Sequence, residues 1–164
     1  MAYTIQNPIL GVQPIAVTDT VQRHALGFQV NAVDPLYGAG EFTYLKGVAN
    51  TVIGSMVDFD EYLGTTALSP ATAGTGSVAV SMSANIANQY GWYQIQGSAV
   101  VRAPNAMVPG ADVFSLAATP GSVDDAAVAG EQILNAKVST TTGTPSAGLA
   151  VIQINRPFHQ GQIT

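Results

Sequence analysis

Runs of four to seven residues rich in Val, Ile, Phe, Tyr and Thr recur along the chain between Gly, Pro and Asn. Short apolar runs bounded by turn residues are the pattern of strands, not helices. The expected strands are 42–46, 55–59, 78–82, 92–96, 99–102, 112–117, 133–138 and 149–155. Most alternate with period two. In "AVIQIN", Val151, Gln153 and Asn155 share one face while Ile152 and Ile154 share the other, so one face is buried more deeply. Only "SANIANQY", residues 83–90, reads as a short helical turn, with Ser83 as its N-cap. The pattern predicts an all-β domain, a small antiparallel β-barrel or β-sandwich with at most one short helical turn.

The stretch "QYGWYQIQG" holds the only tryptophan of the chain, Trp92. Extended geometry sends Trp92, Gln94 and Gln96 one way and Tyr93 and Ile95 the other. Neighbouring rings on opposite faces cannot form one stacking platform. Trp92 is therefore expected to anchor the core or a subunit seam, and a base- or sugar-stacking site around Trp92 and Tyr90 is the weaker reading.

Residues 1–36 carry prolines and no sustained alternation before Phe28. Each proline removes a ladder donor and biases its predecessor to extended geometry. These residues are expected to form an extended N-terminal arm, with residues 37–164 as a single β domain that folds without it. The apolar anchors Ile5, Ile9, Leu10, Val12, Ile15 and Val17, spaced by Pro8 and Pro14, are the expected interface, laid on a partner protein or on another copy of the chain.

Residues 40–59 and 91–114 share a plan of glycine, alternating aromatics, a second glycine, a small apolar stretch and Gly-x-x-Val. Both are expected to be hairpins, with Gly54 and Gly110 at turn positions of positive φ.

Composition changes this picture in two ways. With 164 residues the chain suits one core, but only 9% of residues are charged, well under the roughly 25% of an average domain. A surface built from Ser, Thr, Asn and Gln favours assembly against other subunits. The net charge is −5, and Arg23, Lys46, Arg102, Lys137 and Arg156 are scattered singly. Phosphate neutralisation needs clustered Lys and Arg, so no nucleic-acid partner is expected. No apolar run reaches the roughly 20 residues of a bilayer span, and Met1–Val17 lacks a basic leader region, so no membrane partner and a cytosolically made product are expected.

The search for chemistry finds none that the residues support. The chain has no cysteine and no G-x-S-x-G or phosphate-loop motif, and His24 and His159 sit in proline-flanked tails. Asp58 and Asp60 share a strand face, read as a solvated strand end rather than a cation site, and Asp124-Asp125 reads as a turn. No enzyme activity, no cofactor, no metal site and no catalytic residue is expected.

The segments "HALGFQVNAVDPLYGAGEFTYLKGVANTVIGSMVDFD", "VAVSMSANIANQYGWYQIQGSAVVRA", "GADVFSL" and "GLAVIQINRPF", spanning residues 23–158, resemble the capsid decoration, or cement, proteins of tailed bacteriophages. The motifs are Leu-Gly near the start, Gly-Glu-Phe-x-Tyr-Leu-x-Gly-Val, the Gly-Trp-Tyr-Gln-Ile strand and a closing apolar strand. The resemblance implies a non-enzymatic β protein on the exterior of the phage head. It would bind the major capsid protein as a homo-oligomer, with a trimer favoured over a dimer, and brace the shell. A tail-fibre or adhesin-type β module binding host carbohydrate is the alternative.

Overall fold

The computed structural model describes residues 2–6, 11–70 and 76–161, which form eleven strands and, among these residues, no helix. In chain order the strands are β1 (Thr4–Ile5), β2 (Gln29–Asp34), β3 (Gly38–Lys46), β4 (Met56–Phe59), β5 (Thr66–Leu68) and β6 (Ser77–Ser81). Then follow β7 (Tyr90–Arg102), β8 (Asp112–Ser115), β9 (Val123–Asp124), β10 (Gln132–Val138) and β11 (Leu149–His159). They make one antiparallel sheet in the order β1-β2-β3-β7-β6-β11-β10-β8-β9, with β4 on β6 and β5 beyond β4. The sheet is not closed into a barrel. It buries apolar side chains on both of its faces, as a sandwich does.

The organising strand is β7. Its first half pairs with β3 on one edge and β6 on the other, and its second half pairs with β11. The alternation read it as two strands because Gly97 looked like punctuation. In the structure the strand runs through Gly97, which has φ +103°, and a Cβ there would stand 2.4 Å from the Ala39 carbonyl oxygen. Only glycine lets β3 come so close, and the β3–β7 register shifts at that level, between Glu41 and Phe42.

Two expectations require correction. The segments 40–59 and 91–114 are each two strands joined by a loop, but neither is a hairpin: β3 pairs with β2 and β7, β4 with β5 and β6, and β8 with β9 and β10. Gly54 and Gly110 do hold positive φ, +81° and +87°. Residues 83–90 form no helical turn. Asn88 takes a left-handed φ of 62°, and the Asn85 amide is drawn inward to the Leu45 carbonyl at 3.4 Å and the Tyr93 hydroxyl at 3.0 Å. Tertiary hydrogen bonds override the weak local preference, and the Ser83 hydroxyl caps nothing.

Three apolar clusters fill the sheet's concave surfaces. The largest joins Met56, Val80, Val101, Met107, Val113, Ile133, Ile152 and their neighbours from β4 to β11. A second lies on one face of β2, β3 and β7, around Phe42, Tyr44 and Trp92. A third lies behind it, with Leu45, Val57, Ala79, Tyr93 and Ile95. Trp92 and Tyr93 thus enter different cores, as strand alternation requires.

The division after residue 36 does not coincide with a break in packing. β2 lies inside the stretch read as an arm, with Val30, Ala32 and Asp34 buried in strict alternation, and it pairs with β3 from Gln29↔Thr43 to Asp34↔Gly38. Asp34 also accepts the backbone N–H of Leu36 at 2.8 Å, of Tyr37 at 3.0 Å and of Ala2. One carboxylate therefore closes the β2–β3 turn and ties the start of the chain to it.

Candidate functional site: an aromatic face and a loop-bearing end

The β3–β7 register sets Tyr44 opposite Trp92 and Phe42 opposite Gln94, which assembles an aromatic face that the tryptophan strand alone did not reveal. Tyr44 and Trp92 meet edge-on with centroids 5.3 Å apart, and Tyr3 meets Phe42 at 4.8 Å. Phe28 lies 6.2 Å from Trp92, and Tyr90 stacks on Tyr44 at 6.3 Å. The available signal was the period-two placement of Phe42 and Tyr44 in "EFTYLK", which needed a pairing partner before it meant anything.

This face is not open to a ligand. Ile15, 2% exposed, plugs it, and Tyr3, Ile5, Val12, Leu26 and Phe28 pack around the same cluster. Of the six residues expected to lie on a neighbour, Ile5, Val12 and Ile15 lie on the chain's own sheet, and only Val17, 41% exposed, points outward. Ile9 and Leu10 fall outside the described residues. The reason is plain in the chemistry: the inner face of β3 and β7 offers three large rings within reach, and burying them against a tethered segment costs less ordering entropy than capturing a free partner.

Polar groups staple the segment down. Asp19 and Tyr90 exchange two backbone hydrogen bonds, at 2.8 and 2.9 Å. The buried Asp19 carboxylate accepts from the Tyr44 hydroxyl at 3.0 Å, the Arg23 Nε at 2.8 Å and the Gln13 amide. His24 stacks on Phe28, meets Tyr44 edge-on and shares a hydrogen bond of 2.6 Å between Nε2 and Gln13 Oε1. Burial, with the Asp19 charge beside it, pushes the Tyr44 hydroxyl up to about 12 against the opposing Arg23 N–H.

A second polar cluster joins four elements. His159 Nε2 lies 2.8 Å from both Asp58 Oδ1 and Ser69 Oγ, and Ser69 Oγ lies 3.0 Å from Ser115 Oγ. A serine–histidine–acid relay needs the serine and the acid on opposite ring nitrogens. Here both sit on Nε2, Nδ1 has no partner, and His159 is 4% exposed. The cluster cross-links β4, the segment after β5, β8 and β11. Asp58 is thereby corrected from a solvated strand end to a buried group, while Asp60 accepts the N–H groups of Tyr62 and Leu63, each at 2.8 Å. Asp124 is likewise buried, within β9, and accepts from Asn105 at 2.6 Å.

What the molecule does present to solvent is apolar side chains on loops. Loops 47–55, 60–65 and 82–89 meet around Lys46 and Gly47, whose N–H groups bond the carbonyls of Gly64 at 2.9 Å and Gln89 at 2.8 Å. These loops expose Tyr62 (94%), Leu63 (56%), Ile53 (55%) and Ile86 (45%). Lys46 is the one Lys or Arg in the three loops and their junction. Comparison of the chain with protein-family models, characterised proteins and solved structures finds no match.

Proposed function

We propose that this chain is a structural capsid-decoration module that binds the outer surface of an assembled phage head, through the major capsid protein, and braces it. The observation that carries the reading is the convergence at one end of a rigid sheet of three loops that expose apolar side chains, with Lys46, Asp60 and Glu61 as the charged residues among them. Exposed apolar groups gathered on one surface mark an interaction site, and a sheet buried on both faces is a stiff mount for them. The sequence resemblance to cement proteins supports the same reading, as does a chain with only 9% charged residues. Self-association as a trimer or dimer fits this surface too, and would multiply weak individual contacts on a repeating shell.

The test is a sedimentation titration of the full chain onto undecorated heads of the phage that encodes it. Saturable binding is expected to persist from about 0.05 to 0.5 M salt, because apolar contacts are not screened. The double variant Tyr62→Ser, Leu63→Ser should fold normally and bind at least tenfold more weakly. Wild-type-like binding by that variant would move the interface elsewhere, and no binding by the wild type would remove the reading.

A further inference from the structure

Beside loop 60–65, a cleft of about 410 Å3 opens between β2–β3 on one side and β4–β6 on the other. Its floor is apolar, made by Leu45, Phe59 and Ile95, and the half-exposed ring of Phe158 stands at its mouth. One wall is built by an unusual piece of backbone. In the β10–β11 ladder Leu134 faces Phe158 and Ala136 faces Ile154, so residues 155–157 oppose Asn135 alone. Asn135 and Arg156 take φ of 60° and 47°. Arg156 precedes Pro157, where extended geometry is the norm, so a left-handed arginine there is strained.

The bulge turns Arg156 across to β2 and β3, where its NH2 lies 2.7 Å from Glu41 Oε2 and 3.4 Å from Gln29 Oε1. That ion pair does not explain the strain: its side chains are 56% and 30% exposed, and exposed pairs add little stability. Bulges that re-aim a side chain sit preferentially beside binding sites. Here the strain fixes a guanidinium, which carries five N–H donors, in the lining of a cleft with an apolar floor.

The rest of the rim selects the ligand. Glu61, which lines the same cleft as Arg156, takes the Ser77 hydroxyl on one oxygen and has a second oxygen able to accept. Arg156, already paired with Glu41, and Glu61 are the charged residues of the lining, so the cleft favours no anion, and the apolar floor disfavours a bare cation. A ligand with one apolar face and an edge of hydroxyls, each donor and acceptor at once, meets every condition. We propose that this cleft binds a short uncharged glycan, one pyranose ring lying on Phe59 and Phe158 with its hydroxyls between Arg156 and Glu61. This site shares Glu61 with loop 60–65 but does not rest on the head-binding reading.

The test is a set of amide-resolved NMR titrations of the isolated full chain with maltose, lactose and diacetylchitobiose, with sialyllactose as the charged comparator. At least one neutral sugar is expected to shift the amides of Leu45, Phe59, Ile95 and Phe158 with an affinity on the order of millimolar. Phe158→Ala and Arg156→Gly should each weaken that binding about tenfold, the glycine retaining the positive φ while removing the head group. Should Phe158→Ala disturb the fold, Arg156→Gly alone decides. Absence of shifts with all three neutral sugars at about 50 mM, shifts centred elsewhere, unchanged affinity in Arg156→Gly, or tighter binding of sialyllactose would each overturn the proposal.

Discussion

Tyr44 and Trp92 face each other across β3 and β7, their rings 5.3 Å apart at an interplanar angle of 64°, and both are fully buried. Cross-strand aromatic pairs of this kind add about 0.5–1.5 kcal/mol beyond the area they bury. The pair is the floor on which the N-terminal segment rests, so it couples the sheet to residues distant in sequence, such as Ile15, which lies 29 positions before Tyr44 and 77 before Trp92. Trp92→Ala is expected to cost about 3–5 kcal/mol of folding stability, measured by urea unfolding. Trp92→Phe should recover most of that loss, since the buried Trp92 Nε1 has no hydrogen-bond partner to lose. A loss below about 1 kcal/mol for the alanine would contradict the packing described.

Deleting residues 2–21 should not leave an intact domain. The deletion removes Ile15, Tyr3 and the Asp19 bridge, and bares Phe42, Tyr44 and Trp92 to water. A broad or absent thermal transition and strong binding of an apolar dye are expected. A cooperative melt close to that of the full chain would show that the segment is a detachable arm after all.

This reversal marks where the sequence stops being legible. Period-two alternation located β3, β4, β6, β8, β10 and β11 to within a few residues, because each buries one face and its pattern is local. β2 went unread although "QVNAVD" alternates cleanly, since Gln29 and Asn31 weaken the strand composition and prolines precede it. β1, β5 and β9, at two or three residues, are held by their partners and not by their own composition. That Trp92 and Tyr93 enter different cores is readable from alternation alone, whereas the covering of Trp92 by Ile15 depends on a contact between distant segments that no spacing encodes. The strained Arg156 was equally hidden, because its left-handed backbone arises from the β10–β11 register.

Alkaline pH should unfold the protein through its tyrosines. Burial pushes the Tyr93 hydroxyl from 10.0 to about 12 against its hydrogen bonding with Thr66, Asn85 and Thr51, and raises Tyr3 to about 12 as well. Between those values the unfolded chain has released protons that the folded chain keeps, so stability is full below pH 10 and falls as pH rises toward 12. For fully buried Tyr93 the loss is on the order of 2–3 kcal/mol. Tyr93→Phe should shallow this decline in melts recorded from about pH 9 to 12, and an unchanged slope would refute the assignment.

Asp34 should act at the opposite end of the scale. Its burial opposes ionisation, but the N–H groups of Leu36, Tyr37 and Ala2 outweigh it and hold the carboxyl below its ordinary 3.8. The stabilisation is present above that ordinary value and is lost as pH falls through the depressed one. Asp34→Ala is expected to cost about 1–3 kcal/mol at neutral pH and less in acid, as the pH falls through the depressed value and the wild-type carboxyl takes up its proton. An equal cost in neutral and acid solution would mean that the carboxylate is not what holds the turn.

The most direct measurement of the head-binding account is a density map of undecorated phage heads mixed with the full chain. The account predicts ordered copies on the outer surface, with loops 47–55, 60–65 and 82–89 turned toward the shell and Tyr62 and Leu63 in contact with the major capsid protein. Bare shells, or copies seated by the opposite end of the sheet, would contradict it.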